Sequence, residues 1–186
     1  VAVLDGKLYA VGGYNEEDSH LSLVERYDLA TKSWEEVEPM PSARSAAGVA
    51  VLDGKLYAVG GYGGGALSSV VRYDPEMNAW EEVAPMAEAR YDHAVAVLDG
   101  KLYAVGGYGI EEEEEEEEWG NDGRPLNSVE RYDPEMNAWE AVAPMGSSRD
   151  ECGVAVLDDK LYAVGGEGSE PDSDDGDGAL RSVIRY

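Results

Sequence analysis

A fourteen-residue stretch occurs four times in this chain, and it limits what the chain can fold into more than any other feature. The first copy, Val1–Tyr14, reads VAVLDGKLYAVGGY, and the copies at 49–62 and 95–108 are identical to it. The copy at 154–167 reads VAVLDDKLYAVGGE. The four copies begin 48, 46 and 59 residues apart. Such periods are typical of arrays and propellers built from one recurring supersecondary unit.

Each repeat contains four short runs with the composition of β-strands. VAVL and KLYAV are joined by Asp-Gly, which suits the positive φ angles of a two-residue hairpin turn. The diglycine ends the second run, where a side chain would block a tight bend or a close backbone approach. A third run contains Arg-Tyr, and a fourth begins at a tryptophan. Since no segment has helical periodicity, the sequence predicts an all-β fold of four-stranded antiparallel blades.

These features resemble the kelch repeat. The diglycine, the Arg-Tyr-Asp run, the tryptophan and the Pro-Met that follows it recur along nearly the whole chain. They are most similar to the repeats of BTB-kelch proteins. Kelch repeats fold as blades of a β-propeller, so the resemblance implies one kelch propeller domain over residues 1–186. We expect blades at about 1–40, 47–86, 93–145 and 153–186, with acidic loop insertions at 109–126 and 167–180.

The predicted blades do not add up to an ordinary closed ring. The last blade lacks its outer, tryptophan-bearing strand, which leaves about four blades and 15 strands. A propeller closes so that each blade is buried on both faces, and the kelch rings that the chain resembles usually hold more blades. The sequence therefore favours part of a larger ring. The alternatives are a four-bladed ring and self-association of two chains through open blade edges.

Loop lengths distinguish the two ends of the blades. From the second glycine to the tyrosine of Arg-Tyr, the four repeats count 14, 12, 25 and 20 residues, whereas the other turns within a blade are short. In an up-and-down sheet, these variable loops and the loops between blades emerge at the same end. Binding residues concentrate in variable loops on a rigid scaffold. We therefore expect a protein or peptide ligand at this end, which we call the rim.

The loops between blades each bring one arginine to the rim, and guanidiniums can receive carboxylates bidentately. In the BTB-kelch proteins that the chain resembles, the matching loops, the residue after the diglycine and a serine before the third strand line a pocket for acidic peptides. The matching positions here are Arg44, Ser45, Arg90, Arg149, Tyr14, Tyr62, Tyr108, Ser69, Ser128 and Ser182. The alternative is that each arginine pairs with acids or carbonyls of a neighbouring blade.

Several rim positions depart from the pattern of the resembled family. Acidic or large residues replace the small residues expected after two of the arginines, and an acid and a leucine replace a tyrosine and a serine. The departures are Leu23, Tyr91, Asp92, Asp150, Glu151 and Glu167. They argue against an acidic ligand on this side of the ring.

The charge of the chain excludes some classes of partner. The formal net charge of −26, from 40 acidic and 14 basic residues, argues against nucleic acid and anionic membranes. Seventeen acids lie in three loops, and the longest run, Glu111–Glu118, is followed by Trp119. That run is interpreted as a solvated, disordered loop or as an acidic arm that steers a basic partner, anchored by Trp119. The acidic run at 171–178 fails the EF-hand spacing, so we expect no metal.

The sequence offers no set of residues for catalysis or for a cofactor. Kelch-type copper oxidases use a cysteine, tyrosines and histidines at one metal, but Cys152, His20 and His93 lack ligand-like spacing. Cys152 and His93 stand at equivalent places at the start of inner strands and are expected to be structural.

The predicted function is therefore non-catalytic recognition of another protein. The resemblance implies the substrate-recognition domain of a cullin-based ubiquitin ligase adaptor in the cytoplasm, and a single cysteine suits a reducing compartment. The alternatives are an actin-associated or other kelch scaffold and, more remotely, a kelch-type oxidase.

Overall fold

The structure, a computed structural model, describes residues 1–17, 19–109, 123–168 and 183–185. All regular elements in these ranges are strands, so no described segment is a helix long and apolar enough to cross a bilayer. In chain order they are β1 (Ala2–Leu4), β2 (Lys7–Val11), β3 (Tyr14–Asn15), β4 (Ser19–His20), β5 (Val24–Asp28), β6 (Ser33–Glu36), β7 (Gly48–Leu52), β8 (Lys55–Val59), β9 (Val70–Asp74), β10 (Ala79–Val83), β11 (Ala94–Leu98), β12 (Lys101–Val105), β13 (Tyr108–Gly109), β14 (Arg124–Pro125), β15 (Val129–Asp133), β16 (Ala138–Ala141), β17 (Gly153–Leu157), β18 (Lys160–Val164) and β19 (Val183–Arg185).

Most of these strands form four antiparallel sheets, which we call blades one to four. Their strand orders are β1-β2-β5-β6, β7-β8-β9-β10, β11-β12-β15-β16 and β17-β18-β19. The pairs β3–β4 and β13–β14 are separate small hairpins. Neighbouring strands are consecutive within each blade apart from these hairpins, so each blade is an up-and-down meander. The predicted all-β blades are confirmed, and blade four has three strands in the described part of the chain.

Each blade begins with the hairpin that the repeat predicts. Asp5 and Gly6 have φ angles of 49° and 71°, in the left-handed region that this turn requires. The turn places Leu4 opposite Lys7. In blade four, Asp159 takes the glycine position with a φ of 54°. Aspartate tolerates this conformation better than most residues, so the hairpin survives the substitution.

The hydrophobic core lies between the blades. The inner strands β1, β7, β11 and β17 stand next to one another in that order, and one apolar cluster fills each of the three junctions. The tyrosine of KLYAV packs on a tyrosine of the next blade, with ring centroids 6.0 Å apart for Tyr9–Tyr73 and for Tyr57–Tyr132. The aromatic residues of the repeat therefore hold one blade against the next.

The blades at the two ends of the arc expose faces that the interior blades bury. Leu56 in blade two is 0% exposed, whereas Leu8, at the same repeat position in blade one, is 37% exposed. Val164 of blade four is also exposed, whereas its counterpart Val59 is buried. The described blades thus form a partial propeller, as the sequence predicted, and an apolar face lies at each end of it.

Candidate binding rim

The variable loops and the loops between blades emerge at the same end of the molecule. The strands that flank the acidic insertion of blade three pair there, with Gly109 opposite Arg124. The backbone of Tyr108, the first residue of β13, forms hydrogen bonds with that of Tyr91 in the preceding loop between blades. The two described strands that border the insertion therefore lie at the rim. The acidic-loop residues Glu111, Glu118 and Trp119 and the candidate serine Ser182 lie outside the described residues.

The three rim arginines are buried in the junctions between blades. Arg44, Arg90 and Arg149 are each 0% exposed. The Nη1 atom of each donates a hydrogen bond to the first carbonyl of the next blade's diglycine, at Gly60 (2.8 Å), Gly106 (2.8 Å) and Gly165 (2.7 Å). Arg44 also donates to the Ser69 carbonyl at 3.0 Å and to the Ser69 hydroxyl at 3.2 Å.

Arg90 has the most extensive set of partners. Its Nη2 donates to Glu130 Oε1 at 2.9 Å, to Ser128 Oγ at 3.0 Å and to Glu88 Oε2 at 3.1 Å. Glu130 is itself buried and accepts the backbone amides of Ala87 and Glu88. A buried charge is tolerated only when it is paired and hydrogen-bonded, so this network fixes blade two against blade three.

These contacts correct the prediction that the arginines receive carboxylates of a ligand. Each loop between blades folds over the diglycine of the following blade, whose carbonyls then need a buried donor. The guanidiniums supply that donor and are enclosed in doing so. Ser69 and Ser128, expected in the pocket, are likewise bound to Arg44 and Arg90 within the junctions. The alternative reading, in which the arginines pair with carbonyls of a neighbouring blade, describes the structure.

The residues beside the arginines form the outer layer of the rim. Isolated antiparallel bridges join Ser45 to Tyr62, Tyr91 to Tyr108 and Asp150 to Glu167. Each bridge links the residue after an arginine to the residue after the next diglycine. A Cβ at Gly61 would lie 2.6 Å from the Ser45 carbonyl oxygen, so the glycine permits this close approach. The sequence predicted one site from the residues after the arginines and the residues after the diglycines. The structure places these two sets of residues next to each other.

A continuous row of rings crosses the rim from blade one to blade three. Its members, which we call the aromatic row, are Tyr14, His20, Tyr62, Tyr91 and Tyr108. Successive ring centroids are 5.6, 5.2, 5.2 and 5.5 Å apart. His20 Nδ1 is 3.0 Å from Ser45 Oγ, a hydrogen bond that ties the first hairpin to the loop after blade one. Tyr14 is 64% exposed and the other rings are half-buried.

Four carboxylates lie beside the far end of this row. This acidic cluster consists of Asp92, Asp150, Glu151 and Glu167. The backbone fixes its spacing, because the Asp92 amide donates to the Ala46 carbonyl at 3.0 Å and the Glu151 amide donates to the Asp92 carbonyl at 2.8 Å. Burial and then the charge of Glu151 raise the pKa of Asp92 above its ordinary value. Burial, with the charges of Glu167, Glu151 and Asp92, raises the pKa of Asp150.

The acidic cluster and the aromatic row are neighbours. The pKa of Tyr91 is raised, first by burial and then by Tyr108, Asp92, Tyr62 and Asp150. The hydroxyl of this half-buried ring therefore stays protonated at neutral pH, and Tyr91 presents a neutral aromatic surface next to negative charge.

His93 and Cys152 lie below the rim in the blade junctions. His93 is 7% exposed, and burial, followed by the charge of Arg90, lowers its pKa to about 3. Burial raises the pKa of the Cys152 thiol. Within the described ranges, no three His, Cys, Asp or Glu residues converge to hold a metal ion.

His20, Tyr91 and the acidic cluster were not among the binding residues that the sequence predicted. Tyr91 and all four acids were visible only as departures from the pattern of the resembled family. The regular residues of the repeat form the junctions between blades. A residue that breaks the repeat pattern at a rim position was therefore the available signal for a binding surface.

A partial ring of four-stranded antiparallel blades, with a rim of exposed loops, defines a kelch-type β-propeller, a class of protein-interaction module. The chain belongs to the kelch-repeat family: the family model described as the KLHDC2/KLHL20/DRC7 Kelch-repeats domain matches residues 1–166.

Individual relatives agree with that assignment. The chain is 42% identical to human (Homo sapiens) Kelch-like protein 35 over 175 residues, which cover 94% of this chain and 27% of that protein. It is 60% identical to human Kelch-like protein 5 over 43 residues, or 23% of this chain and 6% of that protein. The solved structure titled "Structure of YjhT" matches 89% of this chain and 56% of its own length, with a TM-score of 0.73 and 20% identity, which supports the fold. The chain thus spans about a quarter or less of these curated relatives.

Proposed function

We propose that this chain binds a segment of another protein across its rim and acts, without catalysis, as the substrate-recognition domain of a cytoplasmic cullin-based ubiquitin ligase adaptor. The observation that carries the proposal is the aromatic row, which places five rings from three blades on one accessible surface.

Aromatic side chains suit protein recognition on physical grounds. They bury a large area with few rotatable bonds, and tyrosine is enriched among the residues that dominate interface energies. The junction arginines hold the backbone beneath the row, so little conformational entropy is lost when a ligand binds. The binding surface proposed here comprises Tyr14, Ser45, Tyr62 and Tyr108 of the predicted site, together with His20 and Tyr91.

The adaptor role is supported by the resemblance to BTB-kelch repeats and by the Kelch-like relatives. A recognition domain must capture a substrate and must also be joined to a module that recruits the ligase. The test therefore has two stages.

The first stage is an affinity capture from cell lysate with the native chain, a Tyr62→Ser/Tyr91→Ser variant and a control Met77→Ser/Met136→Ser variant. Met77 and Met136 are exposed in turns at the opposite end of the blades, so the control also removes two exposed apolar side chains. We expect proteins that are retained by the native chain and the control and lost by the rim variant. Retention by all three forms would contradict binding at the rim.

The second stage fuses the chain to a BTB domain that recruits a cullin and measures ubiquitin on the captured proteins. Rim-dependent ubiquitination is the expected result. Rim-dependent capture without ubiquitin transfer would contradict the adaptor role and favour a scaffold, whose captured proteins would include actin or its associates.

A further inference from the structure

We infer that the rim recognises a cationic protein segment, with an arginine side chain stacked on the aromatic row and its charge facing Asp92, Asp150, Glu151 and Glu167. This inference rests on the proposed function of the rim and adds the chemical class of its ligand. An acidic segment, the ligand class that the resemblance implies, is the opposite prediction.

The aromatic row is a suitable surface for a guanidinium. Cations are attracted to the faces of tyrosine rings, and arginine does so more often than lysine because its planar group also stacks. The row has rings 5.2 to 5.6 Å apart over four successive contacts. An extended segment along the rim would therefore meet several rings, of which Tyr14 is exposed and the other four are partly exposed.

The charges beside the row favour a cationic ligand over an anionic one. Some other acids of this molecule are paired within their own blade, as in Lys55–Asp74, Lys101–Asp133 and Arg72–Glu81. None of the four carboxylates of the acidic cluster has an ion-pair partner in the described structure. An incoming cation would be their counterion, whereas an incoming carboxylate would be repelled.

The cluster also costs stability in the free protein. Asp150 Oδ1 is buried and finds no hydrogen-bond donor among the described residues. Burial raises the pKa of Asp150, and the charges of Glu167, Glu151 and Asp92 raise it further, which means that the folded backbone holds like charges together. Positions that lower stability without serving the fold are characteristic of functional surfaces. A guanidinium at the rim would supply the missing positive charge.

A metal ion is a weaker explanation of the same charges. No three candidate ligands converge in the described ranges, so the carboxylates do not form a compact cation cage. The carboxylates are instead spread along successive loops, from Asp92 to Asp150 and Glu151, which suits an extended ligand. Arg124, at the base of the blade-three insertion, is an exposed cation of the rim but lies on the hairpin rather than in the cluster.

The test uses fluorescein-labelled peptides of Gly and Ser that carry several arginines, several citrullines or several glutamates at the same positions. Citrulline keeps the planar shape of arginine and removes its charge. Binding to the native chain is measured by fluorescence anisotropy over a range of salt concentrations. We expect the arginine peptide to bind at least about tenfold more tightly than the citrulline peptide, and the glutamate peptide not to bind.

The overall negative charge of the chain is the main confounding effect, and two matched variants control for it. The rim variant is Asp92→Asn/Asp150→Asn/Glu151→Gln, and the control variant is Asp53→Asn/Glu76→Gln/Glu135→Gln at the opposite end of the blades. Each removes three negative charges with near-isosteric amides. We expect about tenfold weaker binding of the arginine peptide to the rim variant and a change of no more than about twofold for the control.

Three results would overturn the inference: equal weakening by both variants, equal affinity for arginine and citrulline peptides, and no binding of the arginine peptide up to about 1 mM. Tighter binding of the glutamate peptide than of the arginine peptide would indicate an acidic ligand instead. Each of these leaves the proposed function standing if the Tyr62→Ser/Tyr91→Ser variant still loses its captured proteins. The inference and the proposed function would both be contradicted by one combined result. In it, the Asp92→Asn/Asp150→Asn/Glu151→Gln variant still binds the arginine peptide, and the Tyr62→Ser/Tyr91→Ser variant still retains the captured proteins.

Discussion

Arg90 and Asp92 are two residues apart, yet they belong to layers of the molecule with opposite properties. The Arg90 guanidinium is enclosed in the junction between blades two and three and hydrogen-bonded to carbonyls, a serine and two carboxylates. Asp92 lies in the rim, where burial and the charge of Glu151 raise the pKa of its carboxyl group. The Arg90 guanidinium thus has two carboxylate partners, whereas Asp92 has no ion-pair partner in the described structure.

This difference separates the residues that stabilise the propeller from those that we expect to bind a ligand. The three arginines that recur in the loops between blades donate to carbonyls of the next blade, and so they explain the architecture. The charges that break the pattern have no such partner. Substitutions in the two layers should therefore affect stability and binding in opposite ways.

The largest loss of stability is expected from substituting an arginine in a junction between blades. Arg90→Met leaves the buried Glu130 carboxylate without its charge partner, and breaking a buried pair in this way typically costs about 3–5 kcal/mol. Urea unfolding measures the loss. Arg90→Lys keeps the charge but not the forked geometry and should fall between the native chain and Arg90→Met. A cost below about 1 kcal/mol for Arg90→Met would mean that the arginine does not hold the junction.

A comparison of equivalent leucines tests whether the junctions carry the stability. Leu56→Ala removes a fully buried side chain and should cost about 2–4 kcal/mol. Leu8→Ala, at the same repeat position on the exposed face of blade one, should cost about half as much or less. Equal losses in urea unfolding would indicate that the Leu8 face is covered in solution, as self-association through the open faces would require.

The pH dependence of the free energy of unfolding should reflect the protonation of the His93 imidazole. Its pKa is about 3 in the folded protein, against an ordinary value of 6.5. The unfolded chain therefore binds a proton at a higher pH than the folded chain, and the folded state loses up to about 1.4 kcal/mol per pH unit as the pH falls below 6.5. His93→Leu should flatten this loss, whereas His20→Gln on the rim should not. Identical slopes for the native chain and His93→Leu would contradict the burial of an uncharged imidazole.

Much of the scaffold could be predicted from the repeat, because each blade is a local unit with its own turn signals. The Asp-Gly hairpins, the strand order and the common end of the variable loops all follow from spacing within one repeat. The burial of Arg44, Arg90 and Arg149 could not be predicted in this way, because it depends on how a loop folds over the next blade. The row from Tyr14 to Tyr108 joins three blades and has no periodic signature either.

The acidic cluster was still less accessible from sequence. Asp92 and Asp150 are distant in the chain and are brought together by hydrogen bonds between successive loops at the rim. Their raised pKa values arise from burial first, and burial is a property of the folded molecule. A pattern can mark such residues as unusual without indicating that they form one surface.

The smallest stability effect is expected from the rim itself, and its sign is opposite. Asp92→Asn/Asp150→Asn removes the mutual repulsion, so the variant should be more stable than the native chain at pH 7. Because the folded-state pKa values lie above 3.8, the gain should disappear as the pH falls and the native carboxyl groups become protonated. Asn also tolerates the φ of 50° at position 92, so the backbone adds no cost. A less stable variant at pH 7 would mean that the acids serve the fold.

Hydrogen–deuterium exchange of the native chain with and without the arginine peptide tests the central claim most directly. We predict slower exchange in the rim segments that carry Ser45, Tyr62, Tyr91–Asp92 and Asp150–Glu151, with no change in the turns at the opposite end, such as Asp53–Gly54 and Glu76–Asn78. Protection confined to the opposite end, or spread evenly over the acidic surface, would contradict the assignment of the rim as the binding surface.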